Sequence, residues 1–142
     1  MSRTIHLALF SNGPKPAHYA VFIPTGDAGM KGKIIHVIGN TATGFALEFK
    51  RNYDFDLTRQ RYQLIPLAQV NSQYIRDTVG NGQLSHDTIA RDQLESAATM
   101  APNCKDWMQD YVERLVAEGL VPSGAGLVVE GAPRLLPRLG VN

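Results

Sequence analysis

Phe45-Ala46-Leu47-Glu48-Phe49-Lys50 decides the fold class, because Phe45, Leu47 and Phe49 alternate strictly with Ala46, Glu48 and Lys50. Successive side chains of a strand point to opposite faces, so this period of two describes an antiparallel strand with one buried face. Upstream lie three more apolar runs of strand length: residues 4–10 (TIHLALF), 18–23 (HYAVFI) and 33–38 (KIIHVI). Breakers separate them. Ser11-Asn12-Gly13-Pro14-Lys15-Pro16 divides the first two, and Pro24 opens a loop rich in Gly, Thr and Asp before the third. Downstream, residues 61–70 (RYQLIPLAQV) supply a fifth strand. Pro66 has no N–H to give a ladder, which predicts an edge strand or a bulge there.

The period changes beyond Gly80-Asn81-Gly82. Ser85 or Asp87 is expected to cap a helix that runs to about Met100, with Ile89, Leu94 and Ala98 toward one side. From Cys104 the apolar positions are Trp107, Met108, Tyr111, Val112, Leu115 and Val116, the stripe of an amphipathic helix over 104–118 that Gly119 and Pro122 end. A short strand is expected at Leu127-Val128-Val129, within a Gly/Pro-rich tail over 123–142. Strands first and helices second give an α+β domain: an antiparallel sheet of about five strands packed by two helices, with its core over 4–120.

A chain of 142 residues suits a single domain over 1–142. Its net charge of +1 gives no electrostatic case for nucleic acid or an anionic membrane. No apolar run approaches the roughly 20 residues of a membrane span, and residues 1–10 do not read as a secretory signal. The single cysteine forms no intrachain disulfide, and no Cys-x-x-Cys pair offers a metal site. No cofactor motif is present, and a cytoplasmic chain is expected.

Pro102-Asn103-Cys104 opens the amphipathic helix. A thiol in a first helical turn meets unpaired N–H groups and the positive end of the macrodipole, both of which favour thiolate. Asn103 is a candidate N-cap. His18, at the start of an apolar strand, suits a general base near neutrality. His36, between Ile35 and Val37, reads either as a hydrogen-bonded core histidine or as the partner that orients His18. A free cysteine on an apolar stripe is equally at home as core filler. His6 and His86 read as structural.

The ordered set AHYAVFI, KIIHVI and PNCKDWMQDYV resembles the permuted branch of the NlpC-type papain-like superfamily, above all lecithin:retinol acyltransferase-like proteins. PPPDE-type peptidases share the His-then-Asn-Cys order. The resemblance implies a permuted papain-like fold, with Cys104 as the acylated nucleophile, His18 as the base and His36 orienting it. Tyr19 stands where the acyltransferases carry Trp, and Lys105-Asp106-Trp107 replaces Glu-His-Phe after the cysteine. Residues 4–120 also look like small fungal proteins that carry a GFALEFKRNY strand and an Asn-Cys-x-Asp-Trp helix start.

The leading expectation is a thiol hydrolase or acyltransferase acting on an ester, thioester or amide of a small-molecule or acyl substrate. Tyr19, Asn103, Trp107 and Tyr111 are the candidate substrate contacts. Asn12, Gln69 and Asn71 are candidates for the second oxyanion donor. An alternative is a non-covalent cyclase or accessory protein of secondary-metabolite biosynthesis, shaping an apolar ligand among Trp107, Tyr111 and Phe22. A third is a ubiquitin-like-protein peptidase.

Overall fold

The computed structural model describes residues 2–12, 14–25, 30–40, 42–77, 83–100 and 107–132. Five long strands run β1 (Ser2–Asn12), β2 (Lys15–Pro24), β3 (Lys31–Asn40), β4 (Gly44–Asp54) and β5 (Tyr62–Asn71). A short sixth, β6, covers Ser85–Asp87, and three helices follow: α1 (Gln93–Met100), α2 (Trp107–Ala117) and α3 (Ala125–Gly131). The sheet is antiparallel in the order β5-β1-β2-β3-β4-β6. The domain is therefore α+β, with six described strands where the sequence pattern suggests five.

Alternation sorts the strands into two faces. Ile5, Leu7, Leu9, Val21, Ile23, Ile35 and Phe49 pack with α1, α2 and α3 into the main core. Trp107, Tyr111, Val112 and Leu115 enter that core from α2, as the apolar stripe requires. Phe49 is fully buried there, Leu47 packs against its margin, and Phe45 lies beside Trp107 and Met108. The opposite face carries Ala8, Phe10, Ala20, Phe22 and Ile34. A 3-10 turn at Phe55–Leu57 folds the buried Phe55 onto it, against Phe10, Phe22, Tyr53 and Tyr62.

Pro66 sits on edge strand β5 opposite His6, where the β1–β5 register shifts, so its missing N–H faces an interrupted ladder. Two expectations are corrected. Ser85–Asp87 is a strand on the edge of β4 and caps no helix. Instead α1 starts at Gln93, and Asp92 accepts from Glu95 N at 2.8 Å while Glu95 accepts from Arg91 N at 2.8 Å, a reciprocal cap invisible to apolar periodicity. Leu127–Val129 belongs to helix α3, since a seven-residue turn docked on α2 takes precedence over β-branched propensity.

One end of the sheet is closed by buried ions. Glu95, 0% exposed, accepts from Arg51 at 2.5 and 2.8 Å and from Lys33 at 2.7 Å. Lys33 also pairs with Asp92, and Arg51 with Asp87. These bonds staple α1 and β6 to β3 and β4. No helix among the described residues is long and apolar enough to cross a membrane.

Candidate functional site

The other end of the sheet forks. The β2–β3 ladder runs from Pro24↔Gly32 to Val21↔Ile35 and extends no further among the described residues. Beyond that point β2 continues along β1, through Phe10↔His18 and a register shift to Asn12↔Lys15, and β3 continues along β4, to Asn40↔Gly44. Between the diverging strands lies a cavity of about 330 Å³. Asn12, Ala17, His18 and Tyr19 line one side, Val37, Gly39 and Phe45 the other, and Trp107 and Met108 of α2 close it. Gly39 makes the tight return possible: its φ is +115°, and a Cβ there would stand 2.0 Å from the Gly44 carbonyl oxygen.

The fork also explains how His18 reaches His36. Extending the β2–β3 register sets the two residues on a diagonal, within reach of long or aromatic side chains. Nε2 of His18 lies 2.8 Å from Nδ1 of His36, and Nε2 of His36 lies 2.8 Å from Oε1 of Glu48, its register partner on β4. The other carboxylate oxygen of Glu48 lies 2.9 Å from Nδ1 of His86 on β6. His36 is buried and His86 exposed, so the four side chains run from the fork to the surface.

Their protonation follows from the electrostatics. Burial alone would raise the Glu48 carboxyl, but hydrogen bonds from His36 and His86 outweigh it and hold the group below its ordinary value, ionised at neutrality. Burial first, with Lys50 and His86 adding to it, lowers His36 more than Glu48 raises it, so His36 is neutral at pH 7. His18 is lowered to about 4, by burial first and then by His36 and Lys50. An ionised carboxylate only accepts, so the Nε2–H of His36 donates to Glu48. Nδ1 of His36 is then an acceptor, and His18 donates its own Nε2–H to it. Nδ1 of His18 is left as the nitrogen with a lone pair. A proton arriving there is balanced through His36 by the Glu48 carboxylate, which is the electrostatic logic of an oriented general base.

The structure brings His18, Tyr19 and Trp107 to one cavity. Tyr111 is not among its walls: it is fully buried, and its hydroxyl donates to the Leu94 carbonyl at 2.9 Å. Phe22 lies on the opposite sheet face from Trp107. Asn12 lines the cavity, whereas Gln69 and Asn71 belong to β5 at the far edge. Cys104 and Asn103 lie outside the described residues. Sequence reading missed Glu48 and His86. Glu48 carried a signal, since the alternation that buries Phe49 puts Glu48 on one face with the paired position of His36.

The chain belongs to a family of unknown function, DUF6540, whose profile matches residues 5–122. No curated protein and no solved structure matches it.

Proposed function

We propose that this chain is a cysteine-dependent hydrolase or acyltransferase on a permuted papain-like domain, with Cys104 as nucleophile and His18 as general base. The observation that carries the reading is the hydrogen-bonded His18–His36–Glu48 series, set at a fork whose closing wall is the start of α2. In sequence, Cys104 precedes Trp107, where α2 begins, by three positions.

In this reaction His18 Nδ1 takes the proton from Sγ as sulfur bonds to the carbonyl carbon of an ester, thioester or amide. The carbonyl electron pair moves to oxygen. Its return expels the alcohol, thiol or amine, which takes the proton back from His18, and the acyl thioester passes to water or another acceptor. With His18 lowered to about 4, its imidazole is neutral at pH 7 and free to accept the thiol proton as sulfur attacks. Sulfur then gains its charge only during attack, and rapid alkylation at pH 6 is not expected.

A second reading has its own support. His18 shares a sheet face with Ala20 and Phe22, opposite the face on which α2 packs. That placement suits non-covalent acid–base chemistry on a ligand in the cavity, as a cyclase or an accessory protein would perform. Intact-protein mass spectrometry after incubation with p-nitrophenyl butyrate decides between them. The thiol reading expects one butyryl adduct, absent in Cys104→Ala and slowed in His18→Ala. No adduct on the folded wild-type chain, with hydrolysis retained in Cys104→Ala, overturns it in favour of the second.

A further inference from the structure

On the sheet face opposite the helices, His18 and His36 also border a second, smaller recess of about 60 Å³. Its remaining walls are Phe10, Ile34, Lys50, Tyr53 and Gln60. Lys50 stands beside Ile34 in the β3–β4 register and beside His86 in the β4–β6 register, and its ammonium lies over the Tyr53 ring, 5.6 Å from the centroid. The acid placed to pair with it is Glu48, two residues away on the same strand face. Both Glu48 oxygens, however, are engaged by His36 and His86. Among the described residues Lys50 has no ion pair.

The neighbouring polar groups are committed too. The Tyr53 hydroxyl bonds to Thr58 Oγ1 at 2.6 Å, and the Gln60 amide donates to the Ser11 carbonyl. Lys50 is thus a partly buried cation that lines the recess, with an aromatic ring on one side of its ammonium. A partly buried cation without an ion pair among the described residues is a place where an anion gains from both charge and hydrogen bonding. The volume is about that of two waters, which suits a carboxylate better than a larger tetrahedral anion.

The geometry points to a carboxylate-binding subsite at this recess, held by Lys50 against the outer side of the His18–His36 pair. The site deepens the function proposed above by giving the substrate an anionic group, and it rests on that reading only for its catalytic consequence. That consequence is a coupling. The charged and titratable groups around the recess are His18 from β2, His36 from β3, Glu48, Lys50 and Tyr53 from β4, and His86 from β6. Lys50 is one of the charges that disfavour a proton on His18 and on His36. A carboxylate seated on Lys50 cancels that repulsion, so occupancy of the recess makes His18 a stronger base.

The test uses the full chain carrying Cys104→Ala, so that binding is read without any chemistry at the thiol. Sodium acetate is titrated against sodium chloride at constant ionic strength, and ring ¹⁵N and ¹H shifts of His18 and His36 are followed. Expected at pH 7, where acetate is ionised, are a saturable shift of both rings and a loss of affinity of about tenfold or more in Lys50→Gln. Lys50→Arg, which keeps the charge, should retain binding and guards against a folding defect in the glutamine variant. Absence of a saturable shift overturns the subsite. So does acetate binding that Lys50→Gln leaves unchanged, or phosphate binding more tightly than acetate.

Discussion

Glu95→Gln removes one charge from the ion network that closes the far end of the sheet and leaves its shape nearly intact. Around it lie three cations, Lys33, Arg51 and Arg91, and two further carboxylates, Asp87 and Asp92. With Glu95 the set is neutral, and without it one positive charge is uncompensated. Glu95 is 0% exposed and Arg51 2%, so water does not replace the lost partner. A glutamine would keep one acceptor for Arg51 but turn an N–H₂ toward a second donor. Breaking a buried pair from one side costs about 3–5 kcal/mol. For a domain of this size that is a fall in Tm of roughly 10–15 °C.

Urea unfolding at pH 7 in low and high salt measures it, and the loss should depend little on salt because the pair is shielded. Acid supplies an independent check. Burial pushes the Glu95 carboxyl up, but Arg51, Lys33 and the Arg91 N–H outweigh it, so its folded value lies below the ordinary 4.5. The unfolded chain then binds the proton first. The contribution of Glu95 is full above about 4.5 and is lost as pH falls through the folded value, so the gap between wild type and variant should narrow on acidification. A loss below about 1 kcal/mol, or one abolished by salt, would show the network to be no stronger than surface pairs.

Leu115→Ala should cost about 2–5 kcal/mol, since the side chain is fully buried between α2 and the sheet; an unchanged denaturation midpoint would contradict that packing. Glu48→Gln should lower hydrolysis by up to about 100-fold with little change in fold, because the carboxylate that balances a proton on His18 is gone. In the wild type, long-range ¹⁵N correlation spectra at pH 7 should find His18 and His36 both protonated at Nε2. An Nδ1–H tautomer at His18 would refute the relay.

The alternation over residues 45–50 and the 104–116 stripe were enough to establish an α+β domain with an antiparallel sheet and an amphipathic helix, because periodicity reports which face of an element is buried. Pro66 announced its edge position for the same local reason, a missing donor. The cap of α1 was legible in principle, as Asp92 with Glu95 three positions on, but apolar periodicity does not weigh side-chain oxygens.

His18 and His36 could be singled out in sequence because each interrupts an apolar strand. Their union could not. It depends on where the β2–β3 ladder stops, at Val21↔Ile35, and on the diagonal that this register imposes. Glu48 joins them only through the β3–β4 register, and Arg51 and Lys33 meet Glu95 only once α1 is laid across the sheet. Hydrophobic patterning is a local property of the chain, so the sequence by itself determined the five long strands and α2 and which faces they bury, but not the short strand Ser85–Asp87 or the helical state of Leu127–Val129. The pairing register, the fork and the absence of an ion pair for Lys50 among the described residues are relations between segments distant in sequence, and only the tertiary structure decided them.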